Sequence, residues 1–270
     1  MSEEKKNRKK SRVEQRIEKY KKNKRNRFGK ICLNLLLLIF ILGIIVSIYE
    51  LVNWLINNKK NSEIIREISV AVEISNEDKE EKYNVDFDEL KKINSNTIGW
   101  LKVKGTDVEY PVVQAKDNSF YLNHSFNNEY NPAGWIFADY TNQFGEKKDK
   151  NTVIYGHNRR DGSMFCTLKN ILNKEWYGLE ENRKIIFITE EKENVYETFS
   201  VYEIEEETYY LKTKFSSDIQ YEEFLNIIKN RSKVDFGVDV LKEDEIITLS
   251  TCANNNKYRV VLHAKKIAEQ

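Results

Sequence analysis

A thiol, a guanidinium and an imidazole stand at the ends of three strand-like stretches of this sequence. Cys252 closes Glu245-Ile246-Ile247-Thr248-Leu249-Ser250-Thr251, a β-branched, apolar run that reads as a strand. The polar stretch Ala253-Asn254-Asn255-Asn256-Lys257 after it has the composition of a turn, and Tyr258 to Ala264 reads as the returning strand, with Arg259 near its start. His157 closes Asn151-Thr152-Val153-Ile154-Tyr155-Gly156-His157, ahead of the turn-like Asn158 to Gly162. With a side-chain period of two, Thr248, Ser250 and Cys252 share one face, and Ile247, Leu249 and Thr251 the other. If the two later strands pair as a hairpin, Cys252 and Arg259 are cross-strand neighbours, with Cβ atoms about 5 Å apart.

Those residue types suit nucleophilic catalysis. A guanidinium beside a thiol favours the thiolate and can donate hydrogen bonds to a developing oxyanion. An imidazole is the usual acid/base partner of a thiol. The plain alternative is a small buried thiol near a surface charge, since free cysteine is commonly buried and inert. A histidine at the end of a separate strand sets this sequence apart from that case.

The elements that must position these groups follow from the rest of the chain. Its 270 residues allow one domain with appendages, and two prolines and ten glycines argue against low-complexity character. The formal charge of +1 hides an asymmetry: residues 1–30 carry 14 Lys/Arg against 4 Asp/Glu, leaving the remainder acidic. From Ile31 to Ile56 no charge occurs before Glu50, and the run is long enough to cross a hydrocarbon core of ~30 Å as a helix. The basic flank places the amino end in the cytoplasm, and Tyr49 and Trp54 suit the far interface. A cleaved signal peptide has a shorter apolar core and a small-residue cleavage site, which this run lacks. Membrane insertion also displaces nucleic-acid binding as the reading of the basic arm.

Four divisions result: a basic cytoplasmic segment (1–30), a transmembrane helix (31–56), an extracellular stalk (57–85) with one amphipathic helix on Ile64, Ile65, Ile68 and Val72, and a catalytic domain (86–270). The last opens with a short helix from Asp86, acidic at its start and basic at its end. Strands are expected at 98–103, 108–114, 134–140, 151–157, 184–189, 195–205, 246–252 and 258–267, with helices at 164–172 and 217–228. Many short strands separated by turns give a mostly β chain and favour a barrel or sandwich.

The segments Thr248-Leu249-Ser250-Thr251-Cys252, with Arg259 downstream, and Tyr155-Gly156-His157-Asn158-x-x-Asp161-Gly162-Ser163-Met164-Phe165 resemble those of the sortase family, class B, over roughly residues 86 to 270. The resemblance implies a closed, mostly antiparallel β-barrel of about eight strands with peripheral helices. It implies a cysteine transpeptidase at the surface of a Gram-positive bacterium, with catalytic positions His157, Cys252 and Arg259. Its partners would be surface proteins carrying a carboxyl-terminal sorting signal of Asn-Pro-x-Thr type and a peptidoglycan amine. Similarity also nominates Asn123 and Tyr155 as groove residues, with Ser250 on the Cys face and Tyr210 and Leu211 as an apolar wall.

His263, about 13 Å along the strand from Arg259 at 3.3 Å per residue, reads as structural, and His124 as packing or groove lining. Cys166 is expected to be a buried core thiol. No metal-ligand spacing and no Gly-rich phosphate loop occurs, so no cofactor is assigned. Two rival functions stay open at this level: a secreted cysteine peptidase acting by hydrolysis, and a non-catalytic wall-binding module.

Overall fold

Unbroken apolar sequence leaves the backbone one way to satisfy its hydrogen bonds in lipid, namely within a helix. In the computed structural model, which describes residues 12–77, 80–145, 149–159, 161–205, 207–253 and 257–269, that stretch lies in α1 (Arg12–Ile68). The side chains of residues 76, 77, 80, 81, 252 and 253 are outside this description, as are residues 1–11 of the basic arm and the turn residues Asn254 to Asn256. By length and composition α1 holds one stretch apolar enough to cross a membrane. The chain divides into two units, Met1–Ile56 and Asn57–Gln270, and the functional site belongs to the second.

The last turns of α1 bury Asn61, Ile64 and Ile68. A 3-10 turn, Ser69–Ala71, leads into an antiparallel hairpin of β1 (Val72–Glu77) and β2 (Glu80–Val85). The sequence reading has no strand here, because the alternation that marks a half-buried strand is masked by charged residues. Ile64, Ile68, Ala71 and Tyr83 nonetheless pack in one apolar core with the barrel. After the hairpin, Asp86 caps α2 (Phe87–Ile93) by accepting from the Glu89 amide at 3.0 Å, and Phe87 and Leu90 face inward.

Eight further strands follow: β3 (Thr97–Val103), β4 (Glu109–Val113), β5 (Phe137–Ala138), β6 (Asn151–Gly156), β7 (Lys184–Ile188), β8 (Glu193–Glu205), β9 (Ile246–Ala253) and β10 (Tyr258–Glu269). They close into a barrel in the order β10-β8-β7-β3-β4-β5-β6-β9, which removes the exposed edges an open sheet would present. Pairings are antiparallel except β4 with β5 and β6 with β9. The strand expected over 134–140 shrinks to two residues. Gly134 takes a left-handed φ of 60°, and the Trp135 amide donates to the Tyr121 carbonyl instead of to a ladder.

Short helical segments flank the sheet between β6 and β7. The helix expected over 164–172 is a 3-10 run, Cys166–Leu172, that buries Leu168 and Ile171, and α3 (Lys174–Tyr177) follows it. Cys166 is half-buried there, not a core thiol, because Met164, Phe165, Leu168 and Ile171 already fill the interior. Between β8 and β9, α4 (Asp218–Asn230) is capped by Ser217, which accepts from the Gln220 amide. Its buried Tyr221, Phe224, Leu225 and Ile228 recur at helical spacing and pack with Phe199, Tyr202, Ile246 and Val261 in a second core on the sheet.

A buried polar chain crosses that second core. The Thr248 hydroxyl donates to Asn151 Oδ1 (2.7 Å), so it accepts from His263 Nδ1–H (2.8 Å). His263 Nε2 then accepts from the Tyr202 hydroxyl (2.8 Å), which in turn accepts from Tyr209 (3.3 Å). Asn151 Nδ2 donates to the Lys212 carbonyl at 2.9 Å, so both ends of the chain hold the segment 209–212. Every group is satisfied with a neutral imidazole, and complete burial lowers the His263 pKa to about 3. His263 is structural, as the sequence suggests.

Two outcomes are expected. A chain beginning at Asn57 should fold, whereas one beginning at Asp86 should melt at lower temperature, because it uncovers Trp100, Tyr110 and Trp135 where Ile65 and Ile68 sit. Equal melting temperatures would contradict this packing. The folded pKa of His263 also lies below its unfolded value, so its contribution is full above about pH 6.5 and is lost as pH falls toward 3. Urea midpoints should therefore drop between pH 6.5 and 5 by the equivalent of about 1.4 kcal/mol per unit, and His263→Gln should flatten that slope.

Candidate active site

Three strand ends meet at one rim of the barrel. β6 runs parallel to β9, pairing Asn151 with Ile246 through to Gly156 with Thr251. The same offset carried one residue further sets His157 beside Cys252. On the other side of β9, Cys252 is the direct antiparallel partner of Arg259, the pairing the hairpin reading expects. The thiol and guanidinium positions are therefore strand partners, and the imidazole position directly follows the strand on the other side of β9. The Cys252 side chain is outside the described residues, so its place here is that of its backbone in β9.

His157 is held by its neighbours. Nε2 lies 2.8 Å from the Leu122 carbonyl, which can only accept, so Nε2 carries a proton and Nδ1 is left to exchange one. Two glycines make room for the ring's surroundings. A Cβ on Gly134, already left-handed, would stand 2.6 Å from the Tyr121 carbonyl and 2.7 Å from His157 Cδ2. A Cβ on Gly156 would meet the Phe165 ring at 2.6 Å. Burial lowers the His157 pKa below the usual imidazole value; the Leu122 bond opposes this, and the Arg159 and Arg259 charges add to it. At neutral pH the imidazole is thus the free base.

A cleft of about 230 Å³ opens over these strand ends. His157, Arg259, Tyr155, Ser250, Tyr210 and Leu211 line it, as do Asn118, Leu122, Phe137, Gly156, Glu207, Thr208 and Thr251. The Tyr210 hydroxyl and Ser250 Oγ are 3.0 Å apart, joining the segment 209–212 to the Cys strand. Of the groove residues nominated by resemblance, Asn123 is not among those lining the cleft. It caps the 3-10 turn Phe120–Leu122, with its backbone amide on the Phe120 carbonyl and its side chain exposed. Asn118 and Leu122, from the same segment, take the wall. His124 stacks on Phe120 at 4.0 Å, with Nδ1 2.8 Å from the Phe120 carbonyl, and is a packing residue.

Sequence reasoning passed over Asn118, Asp139 and the Leu122 carbonyl. A signal for the first existed: Asp117 accepts from the amides of Ser119 and Phe120, the turn-starting pattern that presents the intervening Asn118. A backbone carbonyl leaves no trace in residue types. Among the described residues no group of His, Cys, Asp and Glu could hold a metal ion.

A closed eight-stranded barrel with histidine, cysteine and arginine positions abreast at its rim is the frame of a cysteine transpeptidase. A sortase-domain family model matches residues 101–267, and the chain belongs to the sortase family. Within it the resemblance is to class B. Sortase B of Listeria monocytogenes is 39% identical over 184 residues, covering 67% of this chain and 74% of that protein. Sortase B of Staphylococcus aureus is 31% identical over 238 residues, covering 87% and 96%. The structure of Clostridium perfringens sortase B superimposes with a TM-score of 0.63 at 38% identity, covering 67% of this chain and all of that one. The chain is a sortase-type cysteine transpeptidase, an enzyme of surface-protein anchoring.

The Leu122 bond makes the neutral ring an Nε2–H tautomer, which ¹⁵N chemical shifts of His157 should report, with a midpoint below 6.5. Arg159→Gln removes a repelling charge and should move that midpoint upward. An unmoved or lowered midpoint would show that Arg159 does not act on the ring.

Proposed function

We propose that the enzyme is held in a cell membrane by residues 31–56, with residues 1–30 in the cytoplasm and the unit from Asn57 onward outside. The run of exposed Leu, Ile and Val in α1 and the basic residues before it support that orientation. Residues 57–85 join the span to the catalytic domain of 86–270, and Ile64, Ile68, Ala71 and Tyr83 of this stretch pack in the core with the barrel.

The substrate on this reading is a surface protein with a carboxyl-terminal sorting signal of Asn-Pro-x-Thr type. The Cys252 thiolate attacks the scissile carbonyl, its proton having passed to His157. Arg259 donates to the oxyanion of the tetrahedral intermediate. His157 returns the proton to the leaving amine, and a thioacyl enzyme remains. A peptidoglycan amine then gives a proton to His157 and attacks the thioester, forming an amide and releasing the thiolate, which regains the proton. The amine serves where water would serve in a peptidase, so the product is a surface protein joined covalently to the wall. The observation that supports this reading is the register that pairs Arg259 with Cys252 and ends β6 one residue before His157, beside a cleft lined by His157 and Arg259.

Cys252→Ala should lose both peptide cleavage and transfer to an amine while keeping its fold. Appreciable transfer by that variant would end the assignment. Arg259→Lys should be nearly as damaging as Arg259→Ala, since the role needs a planar donor fork in register. The loss should fall on turnover, on the order of a hundredfold, or about 3 kcal/mol, the usual worth of such a donor. Turnover preserved with only weaker apparent peptide affinity would assign Arg259 to the groove.

A further inference from the structure

Beneath the cleft wall lies a buried carboxylate that the reaction does not use. Asp139 is 6% exposed and follows directly on β5. Its Oδ1 accepts from the Thr141 amide (2.9 Å) and hydroxyl (2.6 Å). Its Oδ2 accepts from the Tyr155 hydroxyl and from Asn118 Nδ2, both at 2.8 Å. Tyr155 and Asn118 both line the cleft, Tyr155 two residues before His157. Asn118 Oδ1 also accepts from the Tyr140 amide at 2.9 Å, so its carboxamide is oriented from both ends.

Donor counting then fixes what the wall offers a ligand. A phenol has one proton, and Tyr155 spends it on Asp139, leaving only lone pairs for the cleft. Asn118 spends one N–H on Asp139 and keeps the other. The cleft thus presents an acceptor beside a donor, the pattern complementary to an amide of an extended peptide. Burial works to raise the Asp139 pKa, but the hydrogen bonds from Thr141, Tyr155 and Asn118 outweigh it and hold the carboxyl below the usual carboxylate range. Burial and the Asp139 charge raise the Tyr155 pKa, so the shared proton stays on the phenol.

We propose that Asp139 is a positioning residue for peptide recognition, setting the hydrogen-bond polarity of Tyr155 and Asn118 at the cleft; this rests on the reading of the cleft as the sorting-peptide groove. The consequence is specific. In Asp139→Asn, Oδ1 can keep both Thr141 bonds, which puts an NH₂ where Oδ2 was. That NH₂ faces the Asn118 NH₂, donor against donor, and obliges Tyr155 to accept and turn its own proton toward the cleft. The polarity that Tyr155 shows the cleft is reversed with almost no change in volume.

The test uses the full chain in detergent micelles. A fluorogenic Asn-Pro-x-Thr peptide pool, randomised at x, serves as acyl donor and a fixed amine as acceptor. Asp139→Asn should raise the peptide KM about tenfold, the scale of one mismatched buried hydrogen bond, with kcat changed far less. In a Tyr155→Phe background, where there is no phenol proton to reverse, the same substitution should cost much less. Alkylation of Cys252 by iodoacetamide, followed by peptide mapping, should proceed at the parent rate in each variant, which a distorted site would not allow.

An unchanged KM in Asp139→Asn would overturn the proposal. So would a full tenfold effect persisting without the phenol, or alkylation falling in step with KM. A parent chain that turns over none of the pool, yet alkylates normally at Cys252, would instead overturn the peptide-groove reading on which the proposal stands.

Discussion

The parallel pairing of β6 with β9 is the constraint on which the site depends. Parallel neighbours need a long crossover between them, and here it runs from Gly156 to Ile246 through β7, β8 and α4. A slip of one residue would turn every side chain of the strand to the opposite face. Burial prevents that slip: Ile247 and Leu249 belong to the barrel core, whereas Ile246 and Val261 belong to the core under α4. Both faces of this part of the sheet are therefore committed, and the alignment of His157, Cys252 and Arg259 follows from packing far from the chemistry.

Polar networks do for the cleft what register does for the strands of the candidate site. The chain from Asn151 through Thr248 and His263 to Tyr202 and Tyr209 ties the segment 209–212 to β6, β9 and β10. On the opposite wall, Asp139 ties Tyr155 to Asn118, and the Thr141 and Thr213 hydroxyls, 3.0 Å apart, connect the two walls. Groups so fully paired have few alternative arrangements, because breaking one bond leaves a buried donor or acceptor without water. The walls of the cleft therefore hold a fixed arrangement of donors and acceptors.

The three candidate positions were legible in the sequence because their residue types carry unusual chemistry and each closes or opens a β-branched run. The barrel strands were legible from the same runs, often to within a residue of their observed ends. Parts of the groove were not. His157 is oriented by a carbonyl of Leu122, and any residue supplies a carbonyl. Similarity nominates Asn123, but it caps the 3-10 turn Phe120–Leu122 with an exposed side chain, and Leu122 and Asn118 line the cleft. The hairpin strands at 72–77 and 80–85 hid behind charge, and the strand at 134–140 reads as longer than it is because Trp135 and Ile136 are buried like strand residues although only Phe137 and Ala138 are paired. In each case tertiary contacts chose between local structures that residue types leave nearly equal.

The register itself can be measured by cross-linking. In a chain carrying Cys32→Ser and Cys166→Ser, a cysteine placed at 157 should form an intrachain disulfide with Cys252 under mild oxidation, because neighbouring strand partners lie within the roughly 4.4–6.8 Å Cα separation that the bond requires. Peptide mapping after oxidation identifies the linked positions. The account predicts a high yield of the 157–252 link and a low yield when the new cysteine stands at 156 or 158. Efficient linkage at either neighbour, with none at 157, would mean that the strands are offset differently and that the row of three does not form as described.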